Sequence, residues 1–279
     1  MPVNSTQLQI FLDIATEAVL SAGVVLQDYL GNLETIEEKG RPGDLVTIAD
    51  KKAEAIVLDV LQRHVPSHQI LTEESGKLGN LESELLWAID PLDGTTNFAH
   101  QYPVSAVSVG LMIEGIPVVG AIYDPFRQEL FQAANGLGAT RNRKPIRVSQ
   151  TQTLQSSLLV TGFAYDRHQT ADNNYAEFCY LTHLTQGVRR SGSAAMDLAY
   201  VACGRFDGFW ERGLSPWDMT AGIVLVQEAG GNITAYDGSL FQMSSGRILA
   251  TNGHIHASLS KELQRIPPIS IWADQSSFS

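Results

Sequence analysis

Apolar positions recur at helical spacing from the start of the chain. Leu8, Phe11/Leu12, Ala15, Ala18/Val19, Ala22, Val25/Leu26 and Tyr29/Leu30 return every three or four residues, which predicts a long amphipathic helix over about residues 5 to 30. Residues Asn4 to Thr6 offer its cap and Gly31 its stop. A second helix is marked by Ala53, Ile56/Val57 and Val60/Leu61 and ends before Pro66. The pattern then turns strand-like. Runs at 104–113 and 116–123 flank Glu114-Gly115 as a hairpin, and 129–134 reads as the next strand. Beyond a turn-rich stretch at 135–144, the spacing predicts a strand at 158–161, a helix at 172–184, a small-residue helix at 193–203 and a strand at 206–211. An apolar helix at 217–229 follows, ended by Gly230-Gly231. Strands and helices mix without strict βαβ alternation, so the expected fold class is α/β (α+β by some schemes), a layered sandwich rather than a doubly wound sheet.

One segment breaks these periods. Trp87-Ala88-Ile89-Asp90-Pro91-Leu92-Asp93-Gly94-Thr95-Thr96-Asn97-Phe98 runs from a buried strand end into a sharp turn, since Pro91, Gly94 and Asn97 force a change of direction. Asp93, Gly94 and Thr95 then read as a helix start, where free N–H groups and the positive dipole end favour an anion. Asp-Pro and Asp-Gly are ordinary turn dipeptides, and Asp is an ordinary helix cap. A turn alone needs neither two acids three residues apart nor two consecutive threonines. Two acids beside an anion site call for a cation between them, which points to metal-assisted phosphate chemistry.

Composition narrows the classes. The 279 residues are 44% hydrophobic and 18% charged, ordinary for a globular protein, and 30 acids against 19 basic residues give a net charge of -11. That balance argues against a sequence-independent grip on nucleic acid, which rests on clustered Lys and Arg. Cys179 and Cys203 cannot build a disulfide framework; both are expected as buried thiols in a reducing compartment. No uninterrupted apolar run reaches the ~18 residues of a membrane span, and Asp13 and Glu17 in the first helical segment do not suit a signal peptide, so no membrane partner and a cytoplasmic location are expected.

Two further acids complete a cluster. Glu73-Glu74-Ser75 follows the short strand-like run 69–72, and Asp218 opens the apolar helix after Pro216-Trp217, where alone it reads as an N-cap. Asp90, Asp93, Glu73 and Asp218 together carry four negative charges, and a phosphate monoester adds about two more near neutral pH. No unshielded pocket accepts that sum, whereas two divalent ions cancel the acids. Oxygen donors without His or Cys select Mg²⁺, Mn²⁺ or Ca²⁺ over zinc, and Mg²⁺ suits a site completed by water and phosphate. The EF-hand spacing is not matched, nor are HExxH, GxSxG, GxGxxG and GxxxxGK[ST].

Asp90-Pro-Leu-Asp93-Gly-Thr95-Thr-Asn, the upstream Glu73-Glu74-Ser75 and Trp217-Asp218-Met-Thr-Ala-Gly resemble, in order, the three signature segments of the inositol monophosphatase family. This family belongs to the lithium-sensitive, Mg²⁺-dependent phosphatase superfamily that includes fructose-1,6-bisphosphatase. The likeness runs from the first helix to about residue 265. It implies an αβαβα sandwich, usually dimeric, as a single domain over 1–279: a metal- and phosphate-binding half at about 1–145, a substrate-completing half at 146–265 and a tail at 266–279. It further implies that Glu73, Asp90 and the Leu92 carbonyl hold one Mg²⁺ while Asp90, Asp93 and Asp218 hold a second, Asp90 bridging. A third, weaker ion near Glu73 would help activate water, with Thr95 and Asp50 positioning it; Mn²⁺ is a possible substitute. Asp50 closes Asp44-Leu-Val-Thr-Ile-Ala-Asp50, which with Lys39 resembles the family's mobile metal loop. By the same likeness Gly94 and Thr95 cradle phosphate, and Gly192, Ser193, Ala194 and Glu211 contact the hydroxyl-bearing ring.

The expected partner is thus a small phosphorylated polyol or sugar, foremost myo-inositol monophosphate, with the chain as a homodimer. Fructose 1,6-bisphosphate, histidinol phosphate or a nucleotide 3'-phosphate is the alternative substrate. Arg189 and Arg190 are candidates for holding a second phosphate, although ordinary ion pairing is the stronger reading. A non-enzymatic binding factor of the same fold is the remaining alternative.

Overall fold

Helix α1 (Ser5–Tyr29) begins where the Asn4 side chain accepts the Gln7 N–H at 3.0 Å, and its buried face runs through Phe11, Ala15, Ala18, Ala22 and Leu26. The computed structural model describes residues 3–33, 36–38 and 45–267; Lys39, Asp44 and the tail beyond Pro267 lie outside them. An antiparallel pair, β1 (Ile36–Glu38) and β2 (Leu45–Thr47), leads into α2 (Ile48–His64). Strands β3 (Gln69–Thr72), β4 (Gly76–Gly79) and β5 (Leu85–Asp93) precede the short helix α3 (Thr95–Ala99). Then come β6 (Ala106–Ile113), β7 (Ile116–Asp124), β8 (Glu129–Ala134), β9 (Gly138–Arg141) and β10 (Lys144–Pro145). The remainder comprises β11 (Leu158–Thr161), α4 (Tyr175–Leu184), β12 (Gly187–Arg189), α5 (Ala194–Ala202) and β13 (Gly208–Glu211). It ends with α6 (Pro216–Glu228), β14 (Asn232–Thr234), β15 (Ile248–Thr251) and α7 (His256–Arg265).

These elements stack in five layers. Helices α1 and α2 cover one face of an eight-stranded sheet ordered β10-β9-β8-β7-β6-β5-β3-β4, and α5 with α6 covers the other. A five-stranded sheet, β12-β11-β13-β15-β14, lies against the far side of α5 and α6, and α4 and α7 close the stack. Three apolar clusters fill the spaces. Leu26, Val57, Trp87 and Val109 belong to the first, Met196, Phe209, Met219 and Leu225 to the middle one, and Leu159, Leu181, Trp210 and Leu259 to the outermost. The expected layered α/β class is the one observed.

Glycines set the spacing between α6 and the large sheet. Gly110 and Gly120 are cross-strand partners on β6 and β7, and a Cβ at Gly110 would stand 2.8 Å from the Ala221 nitrogen. At Gly120 it would stand 2.6 Å from the Ala221 Cα. The helix backbone therefore lies where side chains would normally stand.

Several expectations need correcting. The helix expected at 172–184 starts at Tyr175, because Asn174 adopts φ 69 and its side chain bonds Thr161, the Gly162 carbonyl and the Trp210 indole instead of continuing a helix. The strand expected at 206–211 begins at Gly208; the Asp207 carboxylate instead accepts the Leu158 N–H at 2.6 Å. Strand β5 does not stop at Asp90 but continues through a register shift to Asp93. Cys179 is exposed rather than buried, because helix α4 turns it outward, and Cys203 is half-buried. Helix α1 is long and apolar enough by length and composition to cross a bilayer, although Asp13 and Glu17 interrupt its apolar run; half of its most apolar window is buried inside the fold.

Candidate active site

The carboxyl ends of β3 and β5 build the floor of the site. These strands are parallel, with Thr72 paired to Ile89, and the Glu73 N–H extends the ladder to the Ile89 carbonyl at 3.2 Å. Glu73 and Asp90 therefore leave the sheet side by side. Asp90 is 2% exposed and accepts the Leu92 N–H at 2.9 Å, which tightens the bulge. Burial, and then the charges of Glu73, Asp93 and Asp218, push its carboxyl well above the usual range.

After the bulge, Asp93 crosses to the second half of the chain. Its carboxylate accepts the Ser193 hydroxyl at 2.6 Å and the Ala195 N–H at 2.7 Å, so it caps the start of α5. Burial raises Asp93 to about 6 against the lowering effect of these hydrogen bonds, with the Glu73 charge adding to the rise. Gly94 takes φ 94, and a Cβ there would stand 2.9 Å from the Val104 carbonyl oxygen. Thr95 opens α3, and its hydroxyl lies 3.0 Å from Asp50 Oδ1 and 3.1 Å from the Leu92 carbonyl. Asp50 is the third residue of α2, closes a capping box with Thr47, and has its carboxyl raised by burial.

Asp218 is the third residue of α6 and accepts the Ser215 N–H at 2.7 Å, again in a capping box. Burial first, then the Asp93 charge, raises it well above the usual range. At the other end, Glu211 ends β13 and is nearly buried, its carboxyl raised by burial and by Asp197 and lowered by Arg190. A Cβ on Gly162 would fall within 3.0 Å of all three atoms of that carboxyl group, so the bare backbone there makes its seat.

One cavity of about 550 Å³ unites these residues, within the ~300–1,000 Å³ of small-molecule sites. Glu73, Asp90, Leu92, Asp93, Gly94, Thr95, Gly192, Ser193, Ala194, Glu211 and Asp218 all line it. Asp50 stands behind Thr95 rather than in the lining. The starts of α3, α5 and α6 converge on the same space, bringing three positive dipole ends together. Sequence reasoning missed Asp197, buried on α5 and bonded to the Ser191 hydroxyl. The available signal was an acid inside an otherwise small and apolar helix. It read Asn97 only as a turn residue, whereas its side-chain amide bonds the Val104 and Ser191 carbonyls, each at 2.8 Å, and ties the α3 turn to the approach of α5. Arg190 lines the cavity with its charge facing Asp197 and Glu211.

The donors fit a hydrated hard cation. Among the described residues no three acids gather closely enough to enclose an ion by side chains alone. Mg²⁺, however, keeps several waters and takes one or two carboxylates with substrate phosphate, and carboxylates with the Leu92 carbonyl form an all-oxygen set. Six acids, Glu73, Asp90, Asp93, Asp197, Glu211 and Asp218, face two arginines, Arg167 and Arg190, in the lining. Positive charge is what this cavity needs most.

Known proteins with the same pattern decide the assignment. The inositol monophosphatase family profile matches residues 7–267. The chain belongs to the inositol monophosphatase family. A Synechocystis protein named inositol-1-monophosphatase is 65% identical over 95% of this chain and 93% of its own length. The structure of inositol monophosphatase from Anabaena (Nostoc) sp. superposes with a TM-score of 0.87 at 65% identity, covering 95% of this chain and 99% of that one. Nus factor SuhB of Escherichia coli is 42% identical over 88% of this chain and 92% of its length. Membership in the inositol monophosphatase family accounts for the layered fold and for the order of the three acidic segments along the chain.

Proposed function

We propose that this chain is a Mg²⁺-dependent phosphatase that hydrolyses myo-inositol monophosphate to myo-inositol and phosphate. The observation that carries this reading is one cavity with two chemically different ends: acids and helix starts at Asp90–Thr95, and the buried hydroxyl-accepting carboxylate of Glu211. Glu73, Asp90 and the Leu92 carbonyl would hold one Mg²⁺, and Asp90, Asp93 and Asp218 would hold a second whose shell is completed by water and substrate phosphate, with a third, weaker ion beside Glu73. When bound, Mg²⁺ neutralises phosphoryl oxygens and lowers the pKa of water at the site, and Mn²⁺ supplies the same chemistry.

The chain's own residues handle orientation and protons. Thr95 has one hydroxyl hydrogen, which it gives to Asp50 or to the Leu92 carbonyl. Its oxygen is then left with lone pairs that accept a hydrogen bond from the attacking water and orient it. Asp93 and Asp218 fix the starts of α5 and α6, which aim peptide dipoles at the phosphoryl group. Gly94 permits the close approach of backbone to phosphate. Glu211 accepts hydrogen bonds from ring hydroxyls, with Gly192, Ser193 and Ala194 lining the same wall. Two acids against Arg190 at that end disfavour a second phosphate there, which supports a monophosphate over fructose 1,6-bisphosphate.

The reading extends to a cytoplasmic homodimer without direct nucleic-acid or membrane contact. The net charge of -11 supports the first exclusion and the burial of half of α1 the second. The test is kcat/KM over inositol monophosphate, fructose 1,6-bisphosphate, histidinol phosphate and a nucleotide 3'-phosphate, each with Mg²⁺ and with lithium. Inositol monophosphate should lead and millimolar lithium should inhibit; a strong preference for the bisphosphate refutes the assignment. The likeness to Nus factor SuhB favours a second reading, a binding role independent of catalysis. Capture of transcription proteins by an Asp93→Asn variant that releases no phosphate would support it.

A further inference from the structure

Helix α2 carries two buried acids one turn apart on a single face, Asp50 and Glu54. Asp50 holds Thr95. Glu54, 6% exposed, holds the residues on either side of Glu73 and Glu74: its carboxylate accepts the Thr72 hydroxyl, the Ser75 N–H at 3.1 Å and the Ser75 hydroxyl at 2.7 Å. Three donors from the two ends of one short turn therefore converge on one side chain. The same turn is fixed to the sheet through the Glu73 N–H and the Ile89 carbonyl.

We propose that Glu54 is a positioning residue for Mg²⁺ binding: it clamps the β3–β4 turn to α2 so that the Glu73 carboxylate is held beside Asp90 at the carboxyl end of β5. This rests on the proposed role of Glu73 as a metal ligand. The physical basis is direct. Truncating Glu54 leaves a buried threonine hydroxyl and a peptide N–H without their acceptor, and the turn relaxes toward solvent to satisfy them. Because Ser75 is itself exposed, water is at hand to replace the clamp. The fold loses little by that exchange, but Glu73 loses its fixed place. An outer partner of this kind orients a ligand without touching the ion.

The clamp also joins two parts of the site that the chain separates. Through Asp50 and Glu54, one rigid helix fixes both Thr95, the water partner, and Glu73, the first carboxylate. Their mutual placement is then set by the single turn of helix between residues 50 and 54.

The experiment measures Mn²⁺ binding by the free-ion electron paramagnetic resonance signal in the full-length wild type, E54A, E54Q, S75A and E73Q, alongside thermal unfolding and the Mg²⁺ dependence of phosphate release. E54A should bind Mn²⁺ about tenfold more weakly, with a parallel rise in the Mg²⁺ needed for half-maximal rate and a kcat near wild type at saturating Mg²⁺. E54Q should stay within about threefold, because its carboxamide oxygen keeps Thr72 and the Ser75 N–H while the Ser75 hydroxyl turns to accept. S75A, which loses one of the three bonds, should weaken binding about threefold and decides the matter if E54A does not fold. An E54A protein with a lowered melting temperature and wild-type Mn²⁺ affinity overturns the proposal, as does an E54Q as weak as E54A. E73Q separates the two claims: if it keeps wild-type Mn²⁺ affinity, the metal reading of Glu73 fails first and the Glu54 proposal with it.

Discussion

Replacing Gly162 with alanine puts a methyl group where the Glu211 carboxylate now lies. The added carbon falls within 3.0 Å of both carboxylate oxygens and their carbon, a separation that non-bonded atoms do not adopt. No positive φ is involved, so the backbone conformation suits alanine, and the three atoms nearest the added carbon all belong to Glu211. Only 8% of Glu211 is exposed, so its carboxylate cannot escape by a free swing into water. It must leave its seat against Gly162. A hydrogen bond to a charged acceptor contributes about 1.5–3 kcal/mol, and about 1.4 kcal/mol corresponds to a factor of ten in rate. The expected loss in kcat/KM on inositol monophosphate is therefore about ten- to a hundredfold. Phenyl phosphate, which has no ring hydroxyls to present, should lose no more than about threefold. The assay is phosphate release from both esters at saturating Mg²⁺, with Glu211→Gln in parallel. Equal losses on the two esters, or none on either, would refute the assignment of Glu211 to hydroxyl recognition.

Three other outcomes follow from the same structure. Thr95→Val, which removes the hydroxyl between Asp50 and the Leu92 carbonyl, should lower kcat by about a hundredfold or more with KM little changed; an unchanged kcat in steady-state assays would exclude Thr95 as the water partner. Gly120→Ala drives a methyl group into the α6 backbone at Ala221 and should cost about 1–3 kcal/mol, lowering the melting temperature by several degrees; calorimetry showing no shift would contradict the close packing of α6 on β7. Burial holds the His256 pKa below its usual 6.5, so between that folded value and 6.5 the unfolded chain takes up the proton and the native one does not. Its stabilising contribution is complete above about pH 6.5 and declines as the pH falls below it. Urea unfolding at about pH 7.5 and 5.5 should show a smaller acid loss in His256→Gln than in wild type, and equal losses would remove this role.

How much of this was legible in the chain depended on the range of the interactions involved. The α1 stripe and the β6–β7 hairpin at Glu114-Gly115 were readable because their signals are local, a period of three to four residues and a two-residue turn. The start of α4 was not, because Asn174 is diverted by Thr161 and Trp210, partners 13 and 36 residues away. The bulge from Asp90 to Asp93 depends on pairing with β6 and leaves no mark beyond Pro91. Within the site, the acids of the three motifs stood out because two acids and two threonines exceed what a turn requires. Their second duties did not: Asp93 caps a helix about one hundred residues later, and Asp218 and Asp50 close capping boxes. Gly162 and Glu54 gave no signal at all. One matters through the space it leaves for Glu211 and the other through Thr72 and Ser75, and neither relation exists before the layers assemble.

The most direct test is the release of phosphate from myo-inositol monophosphate by the wild type and by Asp90→Asn, measured across a Mg²⁺ titration with melting temperatures recorded alongside. The carboxamide of that variant can keep the bond from the Leu92 N–H while losing the charge at the centre of the acidic cluster. The expected result is a Mg²⁺-dependent wild-type rate and a folded variant slower by about a thousandfold or more. A wild-type rate that is indifferent to chelator, or an Asp90→Asn protein as fast as its parent, would contradict a metal-dependent phosphatase at this cavity.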